Sequence, residues 1–276
     1  MKTKISFYKM QALGNDFVVL NNLENIFEVS DLPITQMADR HFGIGFDQLL
    51  LVLHSDRVDF ACRFFNADGS ESEQCGNGIR CVARFIREEG LSDRSSLTIE
   101  TKAGDITLNI EDFLKIEAKM SVPIFEPKKI PFIANHFQKI YQLQIDHPLS
   151  PLQITALSMG NPHAILRVDT LHQLPLAEFS KKIAPYFPEG VNLGMIEIKD
   201  RNHILLRTFE RGVGETFACG SNACAAVVAG ILNNWLDHEV QIELPYGNLI
   251  IQWQGENHPV LMTGPAEKVF SGQYFL

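Results

Sequence analysis

Residues 65–86 read FNADGSESEQCGNGIRCVARFI, and residues 209–231 read FERGVGETFACGSNACAAVVAGI. In each stretch a phenylalanine precedes a polar residue, and a Cys-Gly pair follows nine positions after that polar residue. The two pairs begin at Cys75 and Cys219, and each leads through a short turn into an apolar run with helical spacing. Both stretches therefore predict a cysteine placed directly before a helix.

The same motifs occur twice along the chain, in the same order and with a nearly constant offset. Cys75 and Cys219 are 144 residues apart, and the Gly-Asn pairs that begin at Gly14 and Gly160 are 146 residues apart. Two further pairs of segments recur at offsets of 145 and 143 residues. Four recurring segments indicate an internal duplication, so we expect two related halves that each present one cysteine.

The composition is that of an ordinary globular protein. The chain has 276 residues, of which 45% are hydrophobic and 21% charged, so each half is long enough to bury its own core. The net charge is −9 and no basic cluster stands out, which argues against nucleic acid or an anionic membrane as a partner. The longest apolar run, residues 223–232, is too short to span a bilayer, and the N-terminus has no signal-peptide core. We therefore expect a cytoplasmic protein.

In the cytoplasm, the five cysteines are expected to be reduced thiols. Their spacings match no common zinc pattern, so we expect no metal site. Cys62, Cys81 and Cys224 are expected to pack in the core, as buried cysteines usually do. The duplicated Cys-Gly-helix context instead assigns chemistry to Cys75 and Cys219.

Many short strands and one strong helix in each half predict an α+β fold, because a Rossmann domain would alternate strands and helices. Alternating apolar residues predict strands within residues 132–157, and Asp31 is expected to cap the first helix. Four helices are expected, at residues 33–40, 78–89, 176–184 and 222–236.

A proline-rich stretch, residues 122–131, marks the expected boundary between the halves. We therefore expect one domain at residues 1–121 and a second domain at residues 122–265. The tail, residues 266–276, is expected to return to the first domain.

The position of each cysteine favours acid–base chemistry. A helix N-terminus offers unpaired N–H groups and a positive dipole end, which lower a thiol pKa and can also hold a carboxylate. Two equivalent thiols suit a reaction that inverts a stereocentre. A thiolate removes a proton from one face of a carbon, and a thiol delivers a proton to the opposite face. A single-thiol protease would gain nothing from the second cysteine.

Five motifs occur in order over the whole chain: KMQALGNDFVVL, NADGSESEQCGNGIRC, GNPH, ERGVGETFACGSNACA and GPAE. They resemble the diaminopimelate epimerase family. The resemblance implies interconversion of LL- and meso-2,6-diaminopimelate in lysine and peptidoglycan precursor biosynthesis, without pyridoxal phosphate, a metal or any other cofactor. It implies two pseudo-symmetric domains, each a curved β-sheet or barrel around a central helix, with the active site in the cleft between them. It also implies a homodimer formed through the C-terminal tail, with Phe270 at the interface.

The resemblance also assigns residues. Cys75 and Cys219 match the acid–base pair, and His163 and Glu210 match positions that tune these cysteines. Asn222 departs from the family, which often has glycine there, and this puts the local backbone angle in question. The groups that match the carboxylate-holding backbone are Gly76, Asn77, Gly220 and Ser221. The side chains that match the substrate-binding set are Asn15, Gln48, Asn66, Asn161, Asn192, Glu210 and Arg211.

The chemistry of these side chains suits a substrate with two amino acid ends. Arg211 offers a fork for a distal carboxylate, and Glu210 and the asparagine carbonyls offer acceptors for an ammonium. Two alternatives stay open. One is a proline or hydroxyproline racemase or epimerase, although the Cys75-Gly76-Asn77 sequence differs from the Cys-Gly-His of that family. The other is a non-catalytic thiol redox or binding protein of the same fold.

Overall fold

The structure, a computed structural model, describes residues 4–171 and 174–276. It divides into two compact units. Unit 1 comprises Met1–Ala118 and Thr263–Leu276, and unit 2 comprises Lys119–Met262. Among the helices of the described residues, none has the length and hydrophobicity of a transmembrane span.

Unit 1 is a mixed sheet with two helices. Strands β1 and β2 form an antiparallel hairpin, β3 runs parallel to β2 and antiparallel to β4, and β6 runs parallel to β4 and begins an antiparallel meander with β7 and β8. The short β5 pairs with β4, and the C-terminal β18 pairs antiparallel with β1. The elements are β1 (Lys4–Ala12), β2 (Asn15–Asn21), α1 (Ile34–Ala38), β3 (Gln48–Leu53), β4 (Phe60–Asn66), β5 (Glu71–Ser72), α2 (Gly76–Glu88), β6 (Ser96–Thr101), β7 (Gly104–Asp112), β8 (Lys115–Lys119) and β18 (Glu267–Phe275).

Unit 2 repeats this order. Strands β10 and β11 are antiparallel, β12 runs parallel to β11 and antiparallel to β13, and β15 runs parallel to β13 and antiparallel to β16. Strand β9 pairs with β10 just as β18 pairs with β1, so the predicted duplication is confirmed. The elements are β9 (Tyr141–Leu143), β10 (Leu152–Ser158), β11 (Pro162–Arg167), α3 (Leu176–Ile183), β12 (Asn192–Asp200), β13 (His203–Glu210), β14 (Gly214–Thr216), α4 (Gly220–Leu232), β15 (Glu239–Leu244), β16 (Gly247–Gln252) and β17 (Leu261–Gly264).

The central strands of each sheet are buried on both faces. In β3, Leu49 and Leu51 pack in one core with the residues of α1, whereas Leu50 lies on the other face, against Gly78 of α2. Alternation with period two explains this division, because successive strand side chains point to opposite faces. Helices α2 and α4 are buried over most of their surface, as expected for a central helix around which a sheet curves.

Both central helices begin two residues earlier than predicted, because each cysteine is itself the N-cap residue. Helix α4 also ends at Leu232, four residues before the predicted end. Asn234 adopts a positive φ of 60°, and the Trp235 N–H donates to the Gly230 carbonyl. This is a Schellman C-cap with asparagine in the position that usually holds glycine, so the sequence offered no glycine signal for the stop.

Three other predictions need correction. Asp31 does not cap α1, because its carboxylate accepts from the Glu28 N–H in a preceding 3₁₀ turn. Helix α3 ends one residue earlier than predicted and continues as a 3₁₀ turn that contains Pro185. Residues 132–157 contribute only two strands, β9 and most of β10, and the rest is irregular.

Candidate active site

Cys75 is the N-cap residue of α2. Its sulfur lies 3.4 Å from the Gly78 nitrogen, which donates to it, and 3.8 Å from Asn15 Oδ1. The side chain is half-buried. A helix N-terminus with an N–H directed at the sulfur stabilises negative charge there. Cys75 therefore occupies the environment that the sequence predicted for a reactive thiol.

A buried arginine supports this helix N-terminus. Arg80 is fully buried in α2, and its guanidinium donates to Asn77 Oδ1 at 2.9 Å and to the Gly76 carbonyl at 3.1 Å. It also donates to the Pro265 carbonyl at 3.2 Å. Arg80 thus fixes the backbone and side chain of the two residues after Cys75. The sequence analysis missed Arg80, because Arg80 lines up with Arg84 and Arg87 at helical spacing, a pattern typical of an exposed polar face.

The other predicted residues of unit 1 lie at one edge of its sheet. Asn15 begins β2, Gln48 begins β3 and Asn66 ends β4, and the strand registers bring these ends together. Gln48 Nε2 donates to Asn66 Oδ1 at 2.9 Å. Gln48 Oε1 is buried and has no hydrogen-bond partner within the described residues. A buried, unsatisfied acceptor at this edge is suited to a ligand N–H.

Cys219 caps α4 in the equivalent position, but its environment differs. The side chain is only 8% exposed, and its sulfur lies 3.4 Å from the Ser221 hydroxyl. Burial and the nearby Glu210 carboxylate raise the pKa of the Cys219 thiol well above its ordinary value, although Ser221 and the Asn222 N–H act in the opposite direction. No cap hydrogen bond of standard geometry reaches this sulfur in the described part of the chain. The predicted low pKa is therefore wrong for Cys219, because burial outweighs the helix N-terminus.

The remaining predicted residues of unit 2 also lie at a sheet edge. Asn192 begins β12 and Glu210 ends β13, on neighbouring antiparallel strands. Asn192 Oδ1 accepts from the Arg211 N–H at 2.9 Å, and Thr216 Oγ1 donates to Glu210 Oε1 at 2.6 Å.

The Arg211 side chain lies over Gly190 in the same unit. It donates to the Glu189 carbonyl at 2.5 Å. A Cβ at Gly190 would lie 2.5 Å from Arg211 Cδ, and Gly190 also has a φ of +79°, so glycine is required there. The backbone at this point is therefore shaped to let the Arg211 stem pass closely.

His163 is fully buried, and its Nε2 lies 2.8 Å from Asn161 Oδ1. Burial, with a smaller contribution from the Arg211 charge, lowers the pKa of His163 to about 3, so the ring is neutral near pH 7. Asn222 opposes this shift as a neighbouring hydrogen-bond partner. Within the described residues, however, His163 Nδ1 and Asn222 Oδ1 lack partners of standard geometry. Asn222 therefore lies next to the His163 ring without forming a hydrogen bond of standard geometry to it.

Asn222 lies inside α4, so the question raised by its departure from glycine is answered by an ordinary helical backbone. Its Nδ2 donates to the Leu193 carbonyl at 3.1 Å. The other three cysteines are buried, two of them in the central helices. Burial raises the pKa of Cys62 and Cys81, which keeps them protonated. In residues 4–171 and 174–276, no group of three or more His, Cys, Asp and Glu side chains could hold a metal ion.

The duplicated α+β architecture is shared with solved structures of low sequence identity. The hydroxyproline epimerase from Agrobacterium vitis superposes with a TM-score of 0.72 at 13% identity, covering 100% of this chain and 92% of that chain. A phenazine biosynthesis protein of the PhzF family from Bacillus anthracis has a TM-score of 0.72 at 21% identity, and the superposition covers 99% of this chain and 100% of that chain. These two likenesses show that the chain shares its fold with both proteins.

Sequence comparison assigns the chain to one family. The family model described as "Diaminopimelate epimerase" matches residues 7–125 and 155–269. The "Diaminopimelate epimerase" of Nitrosomonas eutropha is 49% identical over 275 residues, and that of Ectopseudomonas mendocina is 46% identical over 274 residues. Each alignment covers 98% of both chains. This chain belongs to the diaminopimelate epimerase family.

Proposed function

We propose that this protein is an isomerase that interconverts LL- and meso-2,6-diaminopimelate by a two-base mechanism without a cofactor, a step of lysine and peptidoglycan precursor biosynthesis. The observation that carries the proposal is the pair of cysteines at equivalent helix N-termini in a chain that belongs to this family throughout its length. Two equivalent thiols suit a reaction in which a proton leaves one face of a carbon and another arrives at the opposite face.

Cys75 is the base of the resting protein and Cys219 is the acid. The Gly78 N–H directed at Cys75 favours a thiolate there. Burial and the Glu210 carboxylate raise the Cys219 pKa and keep that thiol protonated. In one direction, Cys75 takes the α-proton and Cys219 delivers its own proton to the same carbon, so the second thiol becomes the thiolate. The reverse direction exchanges these roles. Both thiols must therefore reach one α-carbon.

The α-proton of an amino acid is weakly acidic, so the developing negative charge must be stabilised. The N–H groups of the first turn point out of the N-terminal end of each helix, where they are suited to holding the reacting carboxylate, into which that charge delocalises. In this role the backbone of Gly76 and Asn77 serves in unit 1, and that of Gly220 and Ser221 serves in unit 2. The support for this role is the helical start at Gly76 and Gly220.

The second amino acid end of the substrate is proposed to bind the polar side chains at the two sheet edges. Arg211 holds the distal carboxylate, because a guanidinium binds a carboxylate through two parallel hydrogen bonds. Glu210 and the amide oxygens accept from ammonium groups. The amide side chains in this set are Asn15, Gln48, Asn66, Asn161 and Asn192. His163 acts as a neutral ring that holds Asn161, which agrees with its burial and lowered pKa.

We also infer a homodimer and a cytoplasmic location. The C-terminal β18 pairs with β1 and presents three exposed apolar side chains, Val269, Phe270 and Phe275, which are suited to covering by a second copy. The cytoplasm fits a mechanism that needs Cys75 and Cys219 as thiols, because its reducing environment disfavours disulfides.

The direct test is to incubate the purified protein with LL-diaminopimelate and follow the meso isomer by chromatography that resolves stereoisomers. L-proline and 4-hydroxyproline serve as competing substrates. We expect turnover of diaminopimelate only, and none in Cys75→Ala. The matched control is Cys81→Ala, which truncates a buried cysteine of the same helix and should keep most of the activity. Turnover of the proline substrates alone, or of no substrate, would contradict the proposal.

A further inference from the structure

A network of charged side chains lies behind the Gly-Asn turn of unit 1. Arg40 donates through two nitrogens to the two oxygens of Asp16, each at 2.8 Å, and the buried Lys9 donates to the same carboxylate at 2.5 Å. Lys9 also donates to the Gly45 carbonyl. Partial burial disfavours charge on Asp16, but hydrogen bonds from Arg40 and Lys9 hold its pKa at about 2. Asp16 is therefore ionised near neutral pH.

Asp47 connects this network to Asn15. Arg40 Nη2 donates to Asp47 Oδ1 at 2.8 Å. The other oxygen, Asp47 Oδ2, accepts from Asn15 Nδ2 at 2.7 Å and from the Asp16 N–H at 3.2 Å. An ionised carboxylate only accepts hydrogen bonds, so the atom of Asn15 that faces it must be the amide nitrogen.

The orientation of the Asn15 amide decides which atom faces the cysteine. With Nδ2 held by Asp47, Oδ1 lies 3.8 Å from the Cys75 sulfur and 3.5 Å from Asn77 Nδ2. An acceptor at this point receives the S–H that Cys75 carries after it has taken the α-proton, and it is suited to an ammonium of the substrate. A rotated amide would present N–H groups, which favour the thiolate and repel an ammonium.

We propose that Asp47 is a positioning residue of the active site, which fixes the Asn15 amide so that its oxygen faces Cys75. The inference rests on the proposed role of Cys75. Asp47 belongs to neither repeated cysteine motif and immediately precedes the predicted site residue Gln48. It acts through Asn15, with Arg40 holding its other oxygen.

Three other ionisable residues near Cys75 keep the same charge state while Cys75 titrates. Cys62 of β4 and Cys81 of α2 interact electrostatically with Cys75, but burial raises the pKa of both thiols and keeps them neutral. Arg80 of α2, which supports the same helix N-terminus, keeps its charge at any relevant pH. Substitution of Asp47 leaves these three residues in place, so a resulting change in the Cys75 titration reports the loss of Asp47 and of the amide orientation that it fixes.

The test is the pH dependence of Cys75 alkylation by iodoacetamide, with the modified cysteine identified by peptide mass spectrometry. Asp47→Ala should lower the midpoint by about half a pH unit or more, because a freed amide can donate to the thiolate. Asp47→Asn keeps an acceptor for Asn15 and should shift the midpoint by less than half as much. Asp105→Asn removes a comparable surface carboxylate, one paired with Arg57, and should leave the midpoint unchanged.

The decisive comparison is made in the Asn15→Ala background. If Asp47 acts through Asn15, most of the Asp47→Ala shift should disappear once the amide is absent. An undiminished shift in that background, or equal shifts in Asp47→Ala and Asp47→Asn, would overturn the proposal.

Should Asp47→Ala fail to fold, the Asn15 side-chain amide of the unaltered protein can be followed by NMR. Its protons should exchange more slowly than those of exposed asparagines, and equally fast exchange would overturn the proposal. Neither the alkylation nor the amide exchange measurement needs catalytic turnover, so failure of this proposal can be distinguished from failure of the proposed function.

Discussion

Asn222 of α4 fills the space that a side chain at Gly194 of β12 would need. A Cβ at Gly194 would lie 2.6 Å from Asn222 Oδ1, well inside contact distance. Unit 1 has the opposite arrangement at the equivalent positions, where a Cβ added to Gly78 of the helix would lie 3.2 Å from the Leu50 side chain of the strand. At this contact between helix and sheet, the larger side chain therefore comes from the helix in unit 2 and from the strand in unit 1.

This complementarity predicts a coupled pair of substitutions. Gly194→Ala should destabilise the protein by about 1–3 kcal/mol, because the new methyl group collides with Asn222. Asn222→Gly should cost only a few tenths of a kcal/mol in helix propensity, in addition to about 1 kcal/mol for the lost hydrogen bond to the Leu193 carbonyl. The double variant should be more stable than the sum of the two losses predicts. Urea unfolding of all four proteins measures the coupling, and simple additivity would show that the two positions do not compete for space.

His163 should make the folded protein sensitive to acid. Its pKa lies at about 3 in the folded protein and near the ordinary value of 6.5 in the unfolded chain. A lowered pKa contributes stability that is present above pH 6.5 and is lost as the pH falls towards 3, on the order of a few kcal/mol in total.

Urea unfolding between pH 7 and pH 4 tests this prediction. His163→Gln should lose less stability over that range than the unaltered protein. The control is His258→Gln, which changes an exposed histidine of the same unit and should follow the unaltered protein. Parallel curves for the unaltered protein and His163→Gln would show that His163 does not carry the acid sensitivity.

Arg211→Lys should be damaging although the charge is kept. A lysine cannot offer two parallel donors to a carboxylate, and we expect about a hundredfold loss in kcat/KM, equivalent to roughly 2–3 kcal/mol. Steady-state kinetics with LL-diaminopimelate measure the loss. Arg201→Lys, at a surface arginine bonded to Asp237, should change kcat/KM little. A loss in kcat/KM of less than threefold for Arg211→Lys would show that Arg211 does not bind the distal carboxylate.

Phe270→Ala should weaken the proposed homodimer. Phe270 is 47% exposed on β18, and its ring also packs edge-on against Phe7, 5.9 Å away. Sedimentation velocity at low micromolar concentration should show a shift towards monomer, with an unfolding curve recorded to confirm that the chain is folded. Leu114→Ala removes an exposed apolar side chain from the β7–β8 turn and should leave the association unchanged. An unaltered dimer in Phe270→Ala would exclude this surface as the main contact.

The repeated features of this protein could be predicted from its sequence. The duplication, the two capping cysteines and the α+β class all follow from local patterns that occur twice, so each copy supports the interpretation of the other. The turn residues Asn15 and Asn161 could be recognised for the same reason. Duplicated local patterns survive in the sequence because each unit builds the same elements in the same order.

The features that depend on contacts between distant residues could not be predicted in this way. The orientation of Asn15 depends on Asp47, and the space for Asn222 depends on Gly194. The raised pKa of Cys219 follows from burial and from Glu210, neither of which the helix position reveals. The two thiols therefore differ in environment because of tertiary contacts, although their local sequence patterns are alike.

The central claim is that two thiols act on opposite faces of one carbon. The most direct measurement is the position of deuterium after a partial reaction of LL-diaminopimelate in deuterated water. With two bases, the first meso product should carry deuterium at the inverted carbon, while the unreacted LL substrate keeps its original hydrogen. Substrate that gains deuterium as fast as product forms, or product that retains the original hydrogen, would show that one base returns the proton and would contradict the two-thiol mechanism.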